Sequence, residues 1–207
     1  MEVPSLIRKV VWATESFNPS IISNGLGTYL LSKSVREAGI KVVLGGEGAD
    51  ELFGGYHKYS NPDSNWKKTR NQLIKDMPLT ELRRLDLASM SHSIEVRCPF
   101  LDQGIRNFSD HLDFDDLYRG AVNKAILRDS FEGFLPESIL QRQKTSLDVG
   151  SGIRSMVLKH LTSNGQTERQ GLKDIWSEHF KMDITHLYFS SYPVFDVAIN
   201  KRGKVHK

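Results

Sequence analysis

Residues 40–56, IKVVLGGEGADELFGGY, set a short apolar run against a glycine-rich loop that carries acids. Ile40, Val42, Val43 and Leu44 have the length and β-branched character of a buried parallel strand. Gly39, just before them, is placed to close a helix as its C′ residue. Glu47, Asp50 and Glu51 then follow within five residues. In open α/β sheets ligands gather at the carboxyl ends of strands, and glycine lets backbone amides approach a phosphate with no Cβ in the way. Carboxylates among such amides repel a phosphate unless Mg²⁺ bridges the two sets of oxygens. Periodicity and composition alone leave open the plainer reading, a glycine-rich turn with solvated acids.

Outward from this segment the pattern is helical. Leu6, Ile7, Val10 and Val11 predict a helix over 5–15, and Leu26, Leu30, Leu31 and Val35 a second over 21–38. The polar stretch 61–76 reads as a surface excursion, with a helix start at Pro62, Asp63 and Ser64. Leu82, Leu85, Leu87 and Met90 mark a helix within 79–90, and shorter helices are predicted over 103–111, 124–131 and 137–142. Residues 163–169 read as a loop, and 172–199 as aromatic-rich helix through Trp176, Phe180, Tyr188, Phe189 and Phe195. The expected class is α/β and predominantly helical, divided into a main part over 1–160 and a helical extension of the same domain over 161–207. A single buried strand is not a sheet, so further strands are expected outside the runs recognised here.

The chain has 207 residues with 28 Lys and Arg against 25 Asp and Glu, so the formal net charge is only +3. That balance argues against a nucleic-acid partner; Lys201, Arg202, Lys204 and Lys207 read as a solvated tail. No apolar run approaches the roughly 20 residues that span a bilayer, and residues 1–4 have neither a basic nor an apolar leader region, which predicts a soluble cytoplasmic protein with no membrane partner. The lone Cys98 excludes an internal disulfide and a multi-cysteine metal site. It reads as a small buried apolar residue, and the seven histidines, His57, His92 and His111 among them, have no metal-ligand spacing.

Residues 45–56 resemble the S-G-E/D-G-x-D-E-x-F-G-G-Y motif of asparagine synthetases and the related β-lactam synthetases, with Gly45 in place of the serine. Asp86-Leu-Ala-Ser-Met90 and Ile94-Glu-Val-Arg-Cys-Pro-Phe-Leu-Asp102 are similar to the family's D-R-A-S-M and L-E-V-R-x-P-F-L-D runs. Lys124-Ala-Ile-Leu-Arg128, Leu135-Pro-Glu-Ser-Ile139 and Arg142-Gln-Lys144 resemble its K-x-x-L-R, L-P-x-x-I and R-x-K elements in the same order.

The resemblance implies the C-terminal portion of an adenine-nucleotide α-hydrolase-like (PP-loop ATP pyrophosphatase) domain with an incomplete parallel sheet. It implies amide formation in which ATP activates the aspartate carboxylate as an acyl-adenylate, pyrophosphate leaves, and ammonia derived from glutamine displaces AMP. On that likeness Asp50 is a Mg²⁺ ligand and Glu47 is the acid that handles the attacking amine. Gly45 and Gly46 approach the nucleotide, and Lys144 neutralises the charge that develops on the departing pyrophosphate. Arg97 and Asp102 are expected to form a buried ion pair. Tyr56 is expected to be a packing residue with its hydroxyl satisfied nearby.

The family's S-G-G-x-D-S pyrophosphate loop does not occur in these 207 residues, and residue 2 is Glu2 where its glutaminase domain has a nucleophilic cysteine. The implied partners are therefore aspartate, ATP and a second half, in the same or another chain, that carries the pyrophosphate loop and the glutaminase. The sequence leaves a fragment, a split subunit and a degenerate relative all open, with a chain inactive by itself as the expectation. It also leaves open another amide ligase of the β-lactam synthetase kind, a non-catalytic interaction module, and a homo-oligomer.

Overall fold

The structure, a computed structural model, describes residues 2–56, 61–62 and 65–181. In chain order these form helices α1 (Val3–Thr14) and α2 (Pro19–Glu37), strand β1 (Val42–Leu44), helices α3 (Ala49–Phe53), α4 (Trp66–Asp76) and α5 (Glu81–Met90), and strand β2 (Glu95–Arg97). Helices α6 (Gln103–Ser109) and α7 (Phe114–Leu117), the pair β3 (Tyr118–Arg119) and β4 (Val122–Asn123), and helices α8 (Ala125–Asp129), α9 (Glu137–Leu140), α10 (Leu147–Gly150), α11 (Ile153–Leu161) and α12 (Glu168–His179) follow. The class is a mostly helical α/β fold with two small sheets. The described residues fall into two compact units, one within 1–40, 79–94 and 147 onward, the other within 41–78 and 95–146.

Among the described residues the first unit is all helical. Pro4 opens α1 with its φ already set, and Leu6, Ile7, Val10 and Val11 recur on one face, each at most 5% exposed. Asn18 caps α2 by accepting the N–H groups of Ser20 and Ile21, and Pro19 fills the first helical position, where no N–H is missed. The buried stripe of α1 packs with Ile22, Leu26, Ala88, Val157 and Leu172 into one core. Phe17, in the link between α1 and α2, stands edge-on to Trp176 of α12 at 5.6 Å. His92 has its ring against Tyr29, and burial first, then the charge of Lys33, lowers its pKa.

In the second unit β1 and β2 pair in parallel, Val42 opposite Glu95, Val43 opposite Val96 and Leu44 opposite Arg97. The expected strand is there and parallel, but it is not buried: Val42 is 41% and Leu44 75% exposed. A parallel strand is buried by neighbours on both edges and layers on both faces, and β2 is the sole neighbour of β1 among the described residues. The polar stretch 61–76 is likewise no mere surface excursion. Within α4, Arg70 is buried and donates to the carbonyl of Leu52, at 3.2 and 3.1 Å, and to that of Ser109, at 2.8 Å. Trp66 and Ile74 of the same helix pack on a core of Leu52, Phe53, Leu112, Leu117 and Tyr118.

The shorter helices lie where their periodicity placed them, within a few residues at each end. Glu168 and Arg169, expected in a loop, open α12 behind the cap that Thr167 gives to the Gln170 N–H. His57, Asp63, Ser64, Tyr188, Phe189, Phe195 and the basic tail lie outside the described residues. No helix among the described residues is long and apolar enough to cross a membrane.

Phe17 is 1% exposed, so Phe17→Ala leaves a cavity that its helical neighbours fill only in part. The expected loss is about 3–5 kcal/mol in urea denaturation, with the midpoint falling and the slope unchanged. A loss under about 1 kcal/mol would place Phe17 outside the core.

Candidate functional site

Strand β1 ends at Gly45, whose N–H is taken by the Arg97 carbonyl at 2.7 Å, the last rung of the β1–β2 ladder. Gly46 is exposed, with open space where a Cβ would stand. The chain then turns through Gly48 at φ 94°, a conformation that glycine adopts at little cost, and enters α3. Ala49, Glu51, Leu52 and Phe53 of this helix are buried, which fixes the outward direction left to Asp50. Gly54, at φ 74°, ends α3, and Gly55 turns its N–H back to the Asp50 carbonyl at 2.7 Å. That closure lays the backbone of Gly55 against the Asp50 carboxylate so closely that a Cβ on residue 55 would collide with it.

Two lysines meet this carboxylate. Lys124 Nζ is 2.6 Å from one oxygen and Lys144 Nζ is 2.6 Å from the other. The three side chains are 19–28% exposed, so water screens the pairs only in part. Burial by itself raises the Asp50 carboxyl, but the charges of Lys124 and Lys144 and their hydrogen bonds outweigh it and hold the group below its ordinary range. One carboxylate between two ammonium groups leaves one net positive charge on this group of three side chains.

Of the residues expected at a site, Asp50 and Lys144 are thus in direct contact across 94 positions of sequence; Gly55, which is not among them, packs on Asp50. Glu47 is half-buried, and its charge acts with burial, the larger cause, to raise the Cys98 thiol. Cys98 is half-buried rather than buried. Lys124 is the residue that sequence reasoning passed over. It lies at the head of the K-x-x-L-R likeness, but as one more lysine before a short helix it carried no sign of contact with Asp50.

The expected buried pair of Arg97 and Asp102 does not form. Arg97 donates instead to Glu95 at 2.7 Å, both side chains exposed, because the two lie two residues apart on the same face of β2. Asp102 accepts the Gly104 N–H and starts α6. Tyr56 does satisfy its hydroxyl, donating to the buried Glu51 at 2.5 Å. Among the described residues no three His, Cys, Asp or Glu side chains cluster to hold a metal ion.

The sequence model of the asparagine synthase family matches residues 1–80 and 72–183. Asparagine synthetase B [glutamine-hydrolyzing] of Escherichia coli is 34% identical over 151 residues, 70% of this chain and 27% of the relative. A probable asparagine synthetase of Schizosaccharomyces pombe is 32% identical over 158 residues, 70% of this chain and 28% of the relative. Asparagine synthetase 2 of Oryza sativa is 29% identical over 205 residues, 91% of this chain and 32% of the relative. The chain therefore spans about a quarter to a third of the length of these curated relatives.

Because its pKa is depressed on folding, the Asp50 carboxylate contributes stability that is fully present above the unfolded value of about 3.9 and is lost as pH falls through the folded one. Asp50→Asn should cost about 1–2 kcal/mol at pH 7, between the values for exposed and fully buried pairs. The gap to the parent should close in urea titrations taken below pH 4. A gap of the same size at pH 3 and pH 7 would detach Asp50 from the two lysines.

Proposed function

The chain belongs to the asparagine synthase family, and from that premise we propose that it serves ATP-dependent amide formation, aspartate to asparagine, on the side where pyrophosphate leaves. The observation that carries the reading is the Asp50 carboxylate held between Lys124 and Lys144 behind a glycine loop at the end of a parallel strand. The net positive charge there suits a polyphosphate. Activating a carboxylate with ATP forms a bond from its oxygen to the α-phosphorus and breaks the bond to the β-phosphate bridging oxygen, so negative charge grows on the departing pyrophosphate. Two fixed ammonium groups stabilise that charge with little reorganisation.

Asp50 is the residue that would hold Mg²⁺. A single carboxylate fits an ion that keeps several waters and takes its other ligands from phosphate oxygens, and does not fit an all-protein metal cage. When bound, Mg²⁺ supplies further neutralisation of the phosphates. Gly46, whose surroundings are open, is the closer fit to a nucleotide approach than Gly45, whose N–H is already spent on Arg97. Glu47 takes the amine side, orienting or deprotonating the ammonia that displaces AMP.

This reading assigns the rest of a PP-loop pyrophosphatase-type domain, with the S-G-G-x-D-S loop and a glutaminase supplying ammonia, to sequence outside these residues. The exposed apolar side chains of β1 support it, since further parallel strands and their covering layers would bury Val42 and Leu44.

The test is aspartate- and Mg²⁺-dependent exchange of labelled pyrophosphate into ATP, with this chain alone and with a polypeptide carrying the S-G-G-x-D-S half. Exchange is expected in the mixture, and Lys144→Ala should lower it by about 10²-fold or more. A mixture that associates but exchanges nothing with aspartate would overturn the reading.

A further inference from the structure

Lys124 and Lys144 come from segments with little regular structure to hold them. Lys124 stands at φ 55°, in the left-handed region that non-glycine residues seldom adopt, and residues 142–146 belong to no helix or strand. Such a backbone persists only where its surroundings over-determine it. What they share is Arg128 of α8. Its Nε–H donates to the Asn123 carbonyl at 2.6 Å, and an Nη–H donates to Asn123 Oδ1 at 3.0 Å. The same guanidinium donates to the carbonyl of Leu140 and, at 2.9 Å, to that of Arg142. Asn123 directly precedes Lys124, and Arg142 lies two residues before Lys144. Asn123 is 2% exposed and sends its own Nδ2–H to the Gly55 carbonyl at 2.7 Å, the residue on which the Asp50 carboxylate rests.

One planar fork, extended by one buried amide, thus ties together the three backbone segments that bear Asp50, Lys124 and Lys144. We propose that Arg128, acting with Asn123, is the positioning residue that sets both lysines at the Asp50 carboxylate. Its contacts are with carbonyls and an amide rather than with an acid, so its part is geometric: it fixes where two ammonium groups stand. Lysine cannot replace it, because a single ammonium on a flexible stem does not reach Asn123, Leu140 and Arg142 in fixed directions. The catalytic meaning rests on the leaving-group reading given above; the geometric claim does not.

The experiment uses the intact chain and two readouts. Competitive labelling of lysine amines with a dilute amine-reactive ester, resolved by mass spectrometry, reports each Nζ separately. In Arg128→Lys we expect Lys124 and Lys144 to label several-fold faster than in the parent, with Lys33 and Lys159 of the other unit unchanged. Exchange in the complemented mixture should lose about 10²-fold in kcat with KM for aspartate nearly constant, the mark of misplaced groups rather than lost substrate binding. Unchanged labelling of both site lysines, or an equal rise at every lysine in the chain, would overturn the proposal. Should Arg128→Lys fail to fold, Asn123→Ser, which cuts the link to Gly55 and one arm of the fork, takes its place: faster labelling of the two site lysines alone supports the proposal, and unchanged or uniform labelling overturns it. Lys144→Ala judges the leaving-group reading by itself: if exchange survives that change, the reading fails while the labelling result still decides what Arg128 does.

Discussion

The contact on which the second unit's geometry depends is the meeting of one carboxylate with two ammonium groups. Asp50 reaches Lys124 and Lys144 only because three backbone events coincide. Gly48 lets the chain turn into α3, Gly55 lets the chain close against the carboxylate, and Lys124 accepts a left-handed backbone. Each is a local cost of the kind a chain tolerates when other interactions return it. Here the return comes from the buried face of α3, from Arg70 holding the Leu52 carbonyl, and from Arg128 holding the segments opposite. Most of the energy that places the site is therefore apolar burial and backbone hydrogen bonding. The ion pairs themselves, partly screened, contribute less than they organise.

The parallel pair of β1 and β2 is the other fixed point. Its register puts Leu44 beside Arg97, and the next amide, that of Gly45, still belongs to the ladder. The loop therefore starts from a position defined by hydrogen bonds, not by the flexibility of its glycines. This is why the Gly45 N–H is taken by the ladder while Gly46, one residue on, faces open space.

Much of this was legible in the chain. Leu6, Ile7, Val10 and Val11 announce α1 because a helix with one buried face needs that spacing, and the strand at 42–44 was announced by its β-branched run. Asp50 and Lys144 were singled out by motif, and they touch. What stayed hidden depends on tertiary closure. Strand β2 is three residues long with a single apolar residue, Val96, so no alternation can show it. Arg70 looks like any cation in a polar helix until Leu52 and Ser109 offer carbonyls across 18 and 39 positions. Lys124 gives no local sign of its partner, since a φ of 55° and an acid 74 positions earlier leave no trace in composition. The buried pair expected of Arg97 and Asp102 failed because a nearer acid, Glu95, shares the exposed face of its strand.

The sign of the charge left over at the site decides which side of the proposed reaction these residues serve. Two ammonium groups around one carboxylate attract a polyanion, so the proposal assigns Lys124, Lys144 and Asp50 to the phosphates. In the proposed reaction the amine needs an acid of its own, and the proposal gives that task to Glu47, which lies between Gly46 and the start of α3. Under the proposed reading, a loop that sets Asp50 against two lysines and carries Glu47 three positions before it serves two electrostatic tasks. An exchange of their environments, not of the residues, is what would abolish the division of labour. On this view the positions of the two lysines matter more to the chemistry than any further acid the loop could carry.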